Sequence, residues 1–150
     1  MKPPFPTRED LIAAWIKMAT SESGTADHEE NSWAFQDMLD LTVDHPSVAI
    51  SVILEICARE RSRRVVFFLS AGPLEELLAA HGEEFIKQLE TAAEKNPQLR
   101  KVLGGIWKDV MPDTVWNRVK TIWDRRGWDG IPDNYEKPNS DAQPSDAPRQ

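Results

Sequence analysis

Cysteine is nearly missing from this chain: Cys57 stands alone. One thiol closes no intramolecular disulfide, and with no other thiol at ligand spacing it builds no zinc site. Tyrosine also occurs once, and histidine only as His28, His45 and His81. No histidine has a second one four residues away, and no CxxC pair or Asp-rich calcium loop occurs, so no metal site is expected. His28 and His45 lie beside acids and read as surface or capping residues. The spaced glycines of a phosphate loop and the serine of a nucleophile elbow are missing as well. Long apolar runs are absent: Ser47–Leu54 and Val65–Leu74 are the longest uncharged stretches. Both fall well short of the roughly 20 residues that span a bilayer, and Met1–Pro6 lacks the apolar run of a signal peptide. These absences give the expectation of a cytoplasmic protein with no cofactor and no membrane contact.

What is present is ordinary globular material. The 150 residues are 40% hydrophobic and 29% charged, enough for one proper core. The net charge of −7 is unevenly spread: −7 over residues 1–58, +3 over 59–128 and −3 over 129–150. An acidic balance of this kind argues against nucleic acid and anionic membranes as partners.

Apolar spacing and helix punctuation predict an all-α fold of about six to seven helices in antiparallel pairs. Residues 7–128 are expected to form one helical domain. Residues 129–150, rich in Pro, Asp, Asn and Ser, are expected to be a disordered acidic tail. Thr7 reads as the N-cap of the first helix, and Asp27 as the start of the second. Pro46 reads as the first residue of the third. Val65–Leu69 is β-branched and aromatic enough for a strand, but it has no second strand to pair with. It is read as buried and either helical or irregular. Pro73 reads as the start of a short helix capped by Glu75 and ended by a left-handed Gly82, with a new helix opening at Glu83. Further helices are expected from Pro97 to Trp107 and from Pro112 to Trp123, with Gly127 as the final stop. The openings at Asp44-His45-Pro46 and Lys95-Asn96-Pro97 echo one another, which would fit a repeat-like stack.

Three places could carry function. Glu75, Glu76 and His81 gather two carboxylates and an imidazole near a Gly-Pro turn, as a general acid/base site would. Their separations of five and six residues put neither pair on one helix face, and the bland reading has Glu75 capping and His81 at a helix end. Arg59–Arg64 holds four arginines in six residues. It could contact phosphate or an acidic partner, or be simply a solvated helix end. Trp107, Trp116, Trp123 and Trp128 fall close together, and Trp116 and Trp123, seven apart, would share a helix face. With Arg126 and neighbouring cations at its rim, Trp107, Trp116 and Trp123 would make a partner-binding patch, while the alternative is core.

The run Leu69-Ser70-Ala71-Gly72-Pro73-Leu74-Glu75-Glu76-Leu77-Leu78, then His81-Gly82, Asn96-Pro97-Gln98-Leu99-Arg100 and Leu103 to Trp107, resembles a family of small bacterial helical proteins known only as a domain of unknown function. That family's block reads Ala-Gly-Pro-Leu-Glu-Asp-Leu-Leu followed by His-Gly, so Ser70 and Glu76 are mild departures. The resemblance implies a bacterial, cytoplasmic, all-helical domain and carries no activity. The expected function is therefore a non-enzymatic protein-interaction module, an adapter or immunity-like protein whose partner is another protein. An enzyme with its site at Glu75, Glu76 and His81 is the alternative.

Overall fold

The computed structural model describes residues 1–128. The acidic tail expected at 129–150 lies outside the described residues. Those described form helices and connections with no strand. The helices are α1 (Arg8–Thr20), α2 (Ala26–Asn31), α3 (Trp33–Asp44), α4 (Pro46–Arg59), α5 (Arg63–Leu69), a π-helical turn (Ser70–Leu74), α6 (Glu75–Glu94), α7 (Pro97–Gly104) and α8 (Asp113–Ile122).

Local chemistry sets most of the starts. The Thr7 hydroxyl accepts from the Asp10 N–H at 3.1 Å, and the Asp10 carboxylate accepts from the Thr7 N–H at 2.9 Å, a closed capping box on α1. The Ser62 and Asn96 side chains cap α5 and α7, each by accepting one backbone N–H. Pro46 and Pro97 occupy first-turn positions, where a missing N–H costs nothing. His45 is both the end of α3 and the cap of α4, so a single residue joins the two.

The structure departs from the sequence reading at several points and decides one that was left open. The helix expected from Asp27 is two helices, α2 and α3, parted at Ser32. Val65–Leu69 is helical, and α5, the π turn and α6 run on without a break from Arg63 to Glu94. Pro73 sits inside the π turn, not at a helix start. A proline ring cannot donate and crowds the carbonyl four residues back, and widening the helix by one residue accommodates it. Gly82 is neither left-handed nor a stop: left-handed glycines among the described residues are Gly24 and Gly127. Instead α6 bends at His81 (φ −136°, ψ 18°) and continues. Gly82 is glycine because α8 lies against it. A Cβ there would come within 2.8 Å of Val115.

The core runs through every helix but α2, from Trp15 and Met18 through Met38, Ile53 and Ile56 to Leu69, Leu77, Leu89, Leu103 and Val119, each essentially inaccessible. Burying each aliphatic side chain of this size contributes about 1.5–3 kcal/mol. α1 packs on α2, α3, α4 and α5, and α6 packs on α3, α7 and α8. The N-terminal helices and the C-terminal ones are therefore one packed body built on the α5–α6 rod.

Candidate functional site

The three candidate catalytic groups part company. Glu75 is buried, and its Oε1 accepts a 2.7 Å hydrogen bond from the Trp107 backbone N–H, in the connection after α7. It does not cap its own helix: no side-chain cap bond is present at the start of α6. Glu76, one residue on, is exposed. His81 turns towards α3, where Nε2 lies 2.7 Å from the Val43 carbonyl, and its Nδ1 lies 3.8 Å from Glu84. Each group thus serves a different neighbour. A general acid/base pair needs both within reach of one substrate atom, and these are not.

What the Gly-Pro block does instead is pack on the end of α7, with Ser70 and Glu75 bonding to it and to the connection after it. The last four carbonyls of a helix have no partner inside it. Here they are satisfied from outside: Lys101 O accepts from Trp128 Nε1 at 2.9 Å, Val102 O from the buried Ser70 hydroxyl, Leu103 O from the Ile106 N–H at 3.3 Å, and Gly104 O from Arg125 at 2.7 Å. The partners come so close that only glycine fits at positions 104 and 105. A Cβ on Gly104 would land on the Asp124 carbonyl oxygen, and one on Gly105 would sit 2.5 Å from the Trp128 ring and 2.6 Å from Ser70 Oγ. Helix α7 accordingly ends at Gly104, short of the Trp107 expected from the sequence.

The tryptophans follow from the same packing. Trp107 and Trp116 are 3% and 2% exposed, so neither can touch a partner. Trp123 is half-buried as the C-cap of α8, wedged between the edge of Trp116 (centroids 5.3 Å apart) and the Arg125 guanidinium, 4.1 Å above its ring. Arg126 is exposed and closes on Asp124 at 2.8 Å, holding that carboxyl far below the usual carboxylate range through its hydrogen bonds. Of the expected patch only Trp123 and Arg126 reach the surface, beside a small pocket of about 280 Å³ that Arg100 also lines.

The arginine run is likewise spent on the fold. Arg59 grips Glu9 with two bonds of 2.6 and 2.7 Å and also meets Glu55. That grip lowers the Glu9 pKa and raises that of Arg59. Arg64 donates to the Ala19 and Ser21 carbonyls at the end of α1, where a cation is favoured, and Arg63 donates to Gly127 O. All four arginines are exposed, but among the described residues Arg61 alone has no bond of this kind, and the donors of Arg59, Arg63 and Arg64 are engaged within the fold.

A different feature stands out, an open groove of about 490 Å³ between the start of α1, α3 and the start of α4. Its floor is apolar: Leu11, Trp33, Leu41, Val48 and Val52. Its acidic rim is Asp37, Asp40 and Asp44, which recur at helical spacing along α3 and so share one side of it. Val48 is 47% exposed, a large share for an aliphatic residue beside a core. At one end Lys2 pairs with Asp37 at 2.9 Å while its ammonium lies 5.8 Å from the Trp33 ring centroid. Arg8 gives its guanidinium to the Ser51 carbonyl. The spacing Trp33-Asp37-Leu41-Asp44, running into Val48 and Val52 across Pro46, is the sequence signal for this groove. It was hidden because the same residues read equally well as core.

Among the described residues no cluster of three His, Cys, Asp or Glu side chains could hold a metal ion, and no helix is long and apolar enough to cross a membrane. No curated protein and no solved structure matches the chain. A family model does match, over residues 21–127, a span that takes in the Gly-Pro block, His81 and the α7 closure save Trp128, but not α1. The chain thus belongs to the family of unknown function DUF6869.

Proposed function

We propose that this protein is a non-enzymatic protein-interaction module, an adapter or immunity-like protein of the bacterial cytoplasm, and that its partner is another protein. The observation that carries the reading is the groove between α1, α3 and α4, which combines an apolar floor, an exposed Val48 and a charged rim. Protein interfaces are built this way, with an apolar centre and a polar rim. Two further observations support it. Glu75 and His81 are each held by a backbone group of a different element, which leaves the enzymatic alternative without a convergent pair. The arginines of the Arg59–Arg64 run are mostly bound within the fold, which leaves few of their donors for nucleic acid.

The test is site-specific photo-crosslinking in the native host. A crosslinking residue replaces Val48 in one variant and the exposed Val110, outside the groove, in another. One protein crosslinked from position 48 and not from 110 is the expected result. Crosslinks at neither position, in cells that express the folded chain, would remove the reading. So would turnover of a small molecule that is abolished by His81→Ala with the fold intact.

A further inference from the structure

We infer that the groove takes a basic amphipathic segment of the partner protein, one that places aliphatic side chains on Leu41 and Val48 and lysines or arginines against Asp40 and Asp44. The inference rests on the interaction-module reading and deepens it.

The chain itself displays the recognition chemistry. Lys2 is a cation laid across the end of the groove, paired with Asp37 and close to the face of Trp33. An ammonium in that position gains from the ring as well as from the carboxylate. Further along α3 the same stripe continues without a cation to meet it. Asp40 accepts only from Gln36, at 2.9 Å, and Asp44 has no side-chain bond among the described residues. Both are exposed, and the apolar floor lies directly between them and α4. A segment that covers the floor must bring its charged flank onto Asp40 and Asp44, and only a basic flank is favoured there.

Charge also disposes of the other occupants. Residues 129–150 of this chain carry a net charge of −3 and would meet the rim with the same sign. A second copy, at net −7, would bring a surface of the same overall sign to the rim. Like charges facing one another in this way are a penalty that selects against those partners.

The experiment titrates the full chain into a fluorescein-labelled amphipathic Leu/Lys peptide at about 0.15 M salt, where long-range attraction is screened. A peptide with Glu in place of every Lys runs in parallel. Three variants, checked for fold by circular dichroism, complete the set: Asp40→Asn/Asp44→Asn, Val48→Asp, and Glu83→Gln/Glu84→Gln. The last removes the same charge from the exposed face of α6, outside the groove. Saturable binding of the Lys peptide is expected. It should weaken about tenfold or more in the two groove variants and stay within about twofold in the α6 variant, as a directed pair of rim contacts requires. Equal weakening in the α6 variant would mean general attraction to an acidic protein and overturns the inference. Binding of the Glu peptide as tight as that of the Lys peptide, or no binding of either, overturns it too. A concentration-dependent dimer in sedimentation that Val48→Asp dissolves would put a second copy in the groove and would likewise overturn it. If the partner crosslinked through position 48 contacts the groove with an acidic or neutral segment, the module reading stands and this inference alone falls.

Discussion

The Glu75 carboxylate holds the Trp107 backbone N–H at 2.7 Å across 32 residues of chain, tying the first turn of α6 to the connection between α7 and α8. Both groups are buried. A hydrogen bond to a carboxylate acceptor contributes about 1.5–3 kcal/mol, and deleting the acceptor takes this bond from a buried amide. Glu75→Ala is therefore expected to lower the unfolding free energy by about 1.5–3 kcal/mol in urea titration. Glu75→Gln, which keeps an acceptor oxygen, should lose less. Equal stability of all three proteins would remove Glu75 from its structural role.

The glycines make a graded pair of predictions. At Gly82 a Cβ meets the two methyls of Val115, a stiff side chain that gives only by a small shift of α8, while alanine brings a better helix propensity. Gly82→Ala should cost no more than about 1–3 kcal/mol, the usual range for overpacking. At Gly104 the Cβ meets a backbone carbonyl that cannot move without dragging the 124–128 segment off α7. Gly104→Ala is expected to be much the worse of the two, with a clearly larger drop in thermal midpoint. The reverse order would contradict the packing described.

The buried indoles behave as core. Trp116→Ala should cost about 3–5 kcal/mol, as aromatic truncation in a core does, and so makes a poor surface probe. Trp123→Ala, half-exposed at the helix end, should cost distinctly less in the same denaturation series.

Cys57 is buried in α4, and desolvation pushes its thiol pKa up to about 12. The thiolate is the reactive form, so the native protein should resist Ellman's reagent at neutral pH and react fully once unfolded. Rapid labelling of the native chain would mean that α4 opens far more easily than its packing allows.

Acid should loosen the molecule. Hydrogen bonds from Arg59, Arg118 and Arg126 lower the pKa values of Glu9, Glu90 and Asp124 from ordinary values of 4.5, 4.5 and 3.8. Each carboxyl holds its proton less tightly folded than unfolded. Its contribution is therefore complete above the ordinary value and is lost as the pH falls through the folded one. The thermal midpoint should be flat with respect to these groups from neutrality to about pH 5 and then fall below about pH 4. Concentrated salt should blunt the fall, since the pairs are at the surface. The double change Glu9→Gln/Glu90→Gln should flatten it. A midpoint that rises on acidification would contradict these pairs.

The sequence alone determined the fold class and most of the element boundaries, because the signals are local. A capping threonine with Asp10 three residues on, a proline at the first position of α4 and of α7, and apolar residues every three or four positions act within one helical turn. The likeness to a family of unknown function was legible too, and a family model matches the chain over residues 21–127. What tertiary structure alone decided is what each marked residue is for. Glu75 looked like a cap and a possible acid, and Gly82 like a helix stop. Gly104 and Gly105 are glycine because of what packs against them. Their partners, Trp107, Val115, Asp124 and Trp128, lie between 20 and 33 residues away in sequence and reach them only when α6, α7 and α8 have packed. The groove is the same case in reverse. A leucine or valine at helical spacing is core if another helix covers it and surface if none does, and nothing within the helix itself says which.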